Sequence, residues 1–118
     1  MKTILAGSRS INNLRELNEA IRASGFAITE VVSGEAAGVD RLGVWWAGQH
    51  SVPVVRFRPD WRRYGKQAGF LRNAEMANYA DALVVVWNGR SAGTKHMIDL
   101  AREKGLKVYV RLVERKRA

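Results

Sequence analysis

Val31-Val32-Ser33-Gly34-Glu35-Ala36-Ala37-Gly38-Val39-Asp40-Arg41-Leu42-Gly43-Val44-Trp45-Trp46 is the stretch whose reading decides the fold. It reads as the end of a buried strand, a tight glycine turn and the first turns of a helix. A turn of that kind aims backbone N–H groups, and the positive end of the helix dipole, at whatever sits above it. Such a seat suits an anion, most often a phosphate. Two more glycine-bearing turns, Gly7-Ser8-Arg9 and Gly89 to Thr94, also follow apolar runs. The expectation is that the three turns stand side by side and make one pocket.

Working outward, apolar runs at Lys2–Ala6, Ala27–Val32, Val54–Phe57, Ala82–Trp87 and Leu106–Val110 predict five strands. Helical spacing separates them. Leu14, Leu17 and Ile21 mark a first helix, with Ser10 or Asn12 as its cap and Gly25 as its stop. Val39, Leu42 and Trp46 mark one face of the second. A third helix is predicted from about Lys66 to Ala80, with Phe70, Leu71, Ala74 and Ala77 as its apolar face. Met97, Ile98 and Ala101 carry the fourth.

Strands alternating with helices through short connections predict an α/β fold. Right-handed crossovers narrow this to a three-layer, Rossmann-like, doubly wound parallel sheet of about five strands. In the order 3-2-1-4-5 the turns after strands one, two and four are neighbours. Ligands of such sheets bind there, at the carboxyl ends of the strands where the order reverses.

A chain of 118 residues is expected to be one domain with a real core. The absence of cysteine excludes disulfides, thiolate metal sites and cysteine nucleophiles, and suits a cytoplasmic setting. No apolar run reaches the length of a signal peptide or a membrane span, so no membrane partner is expected. His50 and His96 have no clustered partners at ligand spacing, so no metal is expected, and no serine triad is apparent.

The net charge is +9, and most of it is concentrated in two places. Residues 56–72 hold Arg56, Arg58, Arg62, Arg63, Lys66 and Arg72 against Asp60, a net of +5. Residues 111–118 hold Arg111, Arg115, Lys116 and Arg117 against Glu114, a net of +3. Anionic partners follow, either a small phosphorylated ligand or nucleic acid. In the first turn, Ser8 offers a hydroxyl and Arg9 a planar fork suited to two phosphate oxygens. In the second, Asp40 suits ligand hydroxyls, and Glu35 is expected to face solvent. In the third, Ser91 and Thr94 supply hydroxyls. Neither the dinucleotide fingerprint nor a P-loop is present. Trp45 and Trp46 must point to different faces of one helix, one into the core and one toward an oligomer interface.

Gly7-Ser8-Arg9, Ser33-Gly34-x-Ala36-x-Gly38-x-Asp40, Trp61-x-x-Tyr64-Gly65-x-x-Ala68-Gly69, Arg72-Asn73 and Gly93-Thr94, in that order, resemble the SLOG superfamily, closest to its YspA-like branch. The resemblance covers about residues 3–110. It implies a single nucleotide-binding domain over residues 1–111, followed by a basic tail at 112–118. It also implies a nucleotide or nucleotide-derived ligand, such as ADP-ribose, NAD or a nucleoside phosphate, in a sensor or processing role. No other cofactor is implied. The ligand-binding residues would be Gly7, Ser8, Arg9, Ser33, Gly34, Gly38, Asp40, Arg72, Asn73, Gly89, Ser91, Gly93 and Thr94, and a homo-oligomer is expected.

Two relatives suggest alternatives. The DNA-processing protein DprA, a single-stranded DNA binder, has a similar S-G-x-A-x-G-x-D segment. The +5 segment, with aromatics among its basic residues, supplies the nucleic-acid candidates Arg58, Trp61, Arg62, Arg63, Tyr64 and Lys66. The LOG phosphoribohydrolases cleave the N-glycosidic bond of nucleoside monophosphates with an arginine matched by Arg72, the one catalytic candidate. Lys95-His96-Met97 stands where their glutamate would fall, so catalysis is not implied.

Overall fold

In a computed structural model residues 1–113 are described. Five strands, β1 (Lys2–Gly7), β2 (Glu30–Ser33), β3 (Val54–Arg56), β4 (Ala82–Trp87) and β5 (Lys107–Leu112), form one parallel sheet in the order β3-β2-β1-β4-β5. This is the Rossmann-like architecture that the alternation of elements predicts.

The sheet divides its side chains between two cores because successive strand residues point to opposite faces. Leu5, Val31, Val84 and Val86 pack on one face against α1 (Leu14–Ser24) and α2 (Val39–Gln49). Ile4, Val32, Leu83 and Val85 pack on the other against α4 (Ala68–Tyr79) and α5 (Ala92–Glu103). Buried on both faces, β4 must be apolar throughout, and five of its six residues are fully buried. From β1 the chain winds one way through β2 to β3, then returns to build β4 and β5 on the other side. The reversal falls between β1 and β4, and a crevice opens above it.

Several local expectations are corrected. The first helix is capped by Asn13, whose side chain accepts the Arg15 N–H at 2.9 Å, rather than by Ser10 or Asn12. Strand two begins at Glu30, opposite Lys2 where β1 itself begins, while the Ala27 carbonyl and the Thr29 N–H meet only Met1. Strand five runs on to Leu112 because β4 pairs with it as far as Trp87. Arg111 therefore lies in the sheet, where its Nε donates to Glu16 at 2.7 Å. Residues 114–118 of the expected basic tail lie outside the described residues.

The third predicted helix differs most. Its body is α4, which starts at Ala68, and the residues before it, where Pro59 to Gly65 read as a loop, instead form a short turn of helix, α3 (Trp61–Tyr64), and a 3-10 turn (Gly65–Gln67). Asp60 starts α3 by accepting the Arg63 N–H at 3.1 Å. The buried face of α4 is Ala68, Asn73, Met76 and Ala77, whereas Phe70 and Leu71 face outward. Periodicity assigned the largest apolar side chains to the core. The fold instead buries an asparagine whose hydrogen bonds are all satisfied.

Candidate functional site

Three turns meet above the β1–β4 boundary, and close backbone approach is what requires their glycines. A Cβ on Gly7 would stand 2.0 Å from the Val86 carbonyl oxygen. One on Gly38, at φ +74°, would stand 2.5 Å from the Ser8 and Arg9 carbonyls. Ser8 is buried and joins two turns, since its hydroxyl accepts the Asn88 N–H at 3.0 Å. Ser33, also buried, accepts the Glu35 N–H at 3.1 Å and shapes the second turn. Ser8, Ser33 and Gly38 build the site without lining it, whereas Gly7 also lines the cleft.

The cleft itself is lined by Arg9, Asp40, Arg72, Asn73, Ser91 and Thr94, over a floor that includes Met76 and Met97. Arg9 is exposed at the rim. Asp40 is 5% exposed and accepts the Ala36 N–H at 3.2 Å. Burial pushes its carboxyl up to about 6, although the Ala36 N–H, the Arg72 charge and the Gly7 backbone pull it down. Asp40 is the one carboxylate among the cleft-lining residues described.

Arg72 is held twice. Its Nη1 donates to the Gly34 carbonyl at 2.6 Å and its Nε to Asn73 Oδ1 at 3.1 Å. Gly34 permits this, because a Cβ there would lie 2.9 Å from Nη1. Burial lowers the Arg72 pKa, with Asp40 acting against that shift. The guanidinium stays charged.

An Arg Nε can only donate, so the bond from Arg72 fixes the Asn73 amide with Oδ1 toward the arginine. Asn73 Nδ2 then points at the Gly93 carbonyl (3.4 Å) and at His96 Nδ1 (3.1 Å). His96 must accept there, which places its proton on Nε2. Burial lowers the His96 pKa, in keeping with a neutral ring. A chain of bonds thus runs from the loop after β2, through α4, to the start of α5. His96, without a clustered partner in sequence, is part of it. The signal was its position three residues after Gly93, on the same side of the helix.

The third turn is shaped by Asn88, whose side chain accepts the Arg90 N–H at 2.8 Å and the Ser91 N–H at 3.0 Å. Gly89 takes the left-handed φ of +80° in this turn, close to Leu112. Ser91 precedes α5 but does not cap it with its side chain, and its hydroxyl instead accepts from Thr94 Oγ1 at 3.0 Å. The first N–H groups of α5 therefore face the cleft without a side-chain cap. Gly93 contrasts with the other glycines, since a Cβ there would meet nothing within 4 Å.

Glu35 does not face solvent. At φ +58° it turns back and bridges Arg56 at 2.7 Å and Arg58, and the hydrogen bond from Arg56 lowers its pKa. Arg58 is thus engaged. Arg62, Arg63 and Lys66 carry no ion pair among the described residues. Trp61 and Tyr64 are 51% and 44% exposed beside them. Trp46 is buried against His50, while Trp45 faces outward. No helix among the described residues is long and apolar enough to cross a membrane.

A model of the YspA, cpYpsA-related SLOG family matches residues 1–64. Gene 61 protein of Mycobacterium phage D29 is 39% identical over 85 residues, 66% of this chain and 67% of that protein. No solved structure matches.

Proposed function

Because the chain belongs to the YspA, cpYpsA-related SLOG family, we propose that its cleft binds a nucleotide or nucleotide-derived ligand, of the ADP-ribose, NAD or nucleoside phosphate kind. One observation carries the reading: two arginines, Arg9 and Arg72, line a single crevice beside the uncapped start of α5. Arginine forks and free helix N–H groups are complementary to phosphate oxygens. In this arrangement a phosphate sits between Arg9, Arg72 and the Gly93–Thr94 end of α5. Asp40 accepts from a ribose hydroxyl, and Asn73 keeps Arg72 aimed. Thermal-shift measurements with ADP-ribose, NAD, AMP and cyclic nucleotides test it. Stabilisation by at least one is expected; none at millimolar concentration overturns it.

A second reading, single-stranded DNA binding, draws support from the exposed Trp61 and Tyr64 beside Arg62, Arg63 and Lys66, which carry no ion pair among the described residues. Bases stack on aromatics beside a basic track. Gel shifts across a salt series separate the two: a steep salt slope supports the second, and no shift at low salt removes it.

A further inference from the structure

Trp61 stands in α3, clear of both core clusters and half exposed. A single exposed indole is unremarkable by itself. Its position gives it meaning. The tip of the ring (Cη2) lies 3.5 Å from the point where a Cβ on Gly69 would be, and Arg72 Nη2 lies 3.7 Å from that same point. Indole and guanidinium therefore flank a residue that has no side chain, and of the two Arg72 lines the cleft. Nη2 carries no hydrogen bond to the described residues, whereas Nε and Nη1 are both engaged.

The backbone that carries the indole is fixed. Asp60 caps its helical turn, and the Gly65 N–H closes it on the Trp61 carbonyl. A fixed backbone lowers the ordering cost when a flat ring lands on the indole. Gly69 is in the first turn of α4 and does not take a left-handed φ, so its backbone does not demand glycine. What glycine does leave there is a space about the size of a methyl group between the ring and the arginine.

Building on the cleft as a nucleotide site, we infer that Trp61 is the platform on which the ligand's base stacks. Gly69 keeps the surface between that base and a phosphate held by Arg72 free of a side chain. The chemical class selected is a phosphate joined through a sugar to a flat aromatic ring, in preference to a sugar phosphate without one. Stacking tolerates any base, because every base has a π face. The platform therefore sets a preference for nucleotides over sugar phosphates, without choosing among nucleotides.

The test compares AMP with ribose 5-phosphate by calorimetric titration, on wild type, Trp61→Ala, Trp61→Phe and Gly69→Leu. Wild type is expected to bind AMP roughly tenfold or more tighter than ribose 5-phosphate, the range that one stacked base supplies. Trp61→Ala should lose that preference while keeping its ribose 5-phosphate affinity. Trp61→Phe should retain most of the preference but lose the AMP-dependent quenching of tryptophan fluorescence. Gly69→Leu keeps the indole and fills the gap, so it should behave like Trp61→Ala. Equal wild-type affinity for the two probes overturns the platform and leaves the phosphate site standing, as does an unchanged preference in both Trp61→Ala and Gly69→Leu. Wild type binding neither probe overturns the platform, and the cleft reading falls with it only if ADP-ribose, NAD and cyclic nucleotides also fail to bind.

Discussion

Arg72 donates through Nη1 to the Gly34 carbonyl at 2.6 Å, so one side chain of α4 fixes the loop that follows β2. The arginine is both strut and ligand seat, and two substitutions separate the roles. Arg72→Lys keeps a positive charge near Asp40 but cannot make the fork of bonds to Gly34 and Asn73. We predict a loss of about 1 kcal/mol in stability for Arg72→Lys and at least a tenfold loss of nucleotide affinity. Arg72→Ala also removes the charge that faces Asp40 and should cost about 2 kcal/mol or more. Denaturant melts with AMP titrations measure both. Lysine binding AMP as well as arginine does would remove Arg72 from the site.

Asp40 makes stability depend on pH with an unusual sign. Its carboxyl is raised from 3.8 to about 6 in the folded protein, so the folded state holds the proton more tightly than the unfolded chain does. Stability from this group is present below pH 4 and is lost as pH rises toward 6, by on the order of 3 kcal/mol. Glu35 and Asp99, whose carboxyls are lowered by their cationic partners, act the opposite way in acid. The Asp40 contribution is isolated by comparing wild type with Asp40→Asn at two pH values. The variant should gain on wild type by about 2 kcal/mol between pH 4.5 and 7.5, while losing nucleotide affinity. An equal difference at both pH values would show that Asp40 is not held against its ionisation.

The architecture was legible because β4 is apolar at every position and glycine turns follow three of the strands. Those features need no tertiary information. Much of the cleft lining was legible too, Arg9 and Asp40 from their glycine turns at strand ends and Arg72 and Asn73, which lie on a helix, from the family resemblance. What stayed hidden depended on contacts between distant residues. Glu35 looked solvated until β3 brought Arg56 and Arg58 to it. Phe70 and Leu71 looked like core until Asn73 took the inward face of α4. His96 had no partner in sequence because that partner lies 23 residues earlier, on another helix.

Asn73 is where α4 and α5 are tied, and its amide has every hydrogen bond committed. Asn73→Ala leaves Arg72 Nε, the Gly93 carbonyl and His96 Nδ1 without this partner. We predict a loss of about 1–3 kcal/mol in a denaturant melt. The freed His96 ring should titrate higher than in wild type, since the Nδ1 bond that favours its neutral form is gone. Proton NMR of the imidazole across pH 5–8 reads this directly. An unchanged titration would mean that the Asn73–His96 bond does not form in solution.

Gly93 distinguishes a ligand requirement from a folding requirement. Alanine at Gly7 or Gly38 collides with carbonyl oxygens and is expected to abolish folding. At Gly93 a Cβ meets nothing within 4 Å, and the residue lies in the first turn of α5, where alanine is the better helix former. Folding alone therefore favours alanine there, by a few tenths of a kcal/mol up to about 1. The added methyl would, however, stand where phosphate oxygens must approach the first N–H groups of the helix. Gly93→Ala should melt at or above the wild-type temperature while its thermal shift with AMP falls sharply. If the variant is stabilised by AMP as strongly as wild type, the start of α5 is not where the phosphate rests.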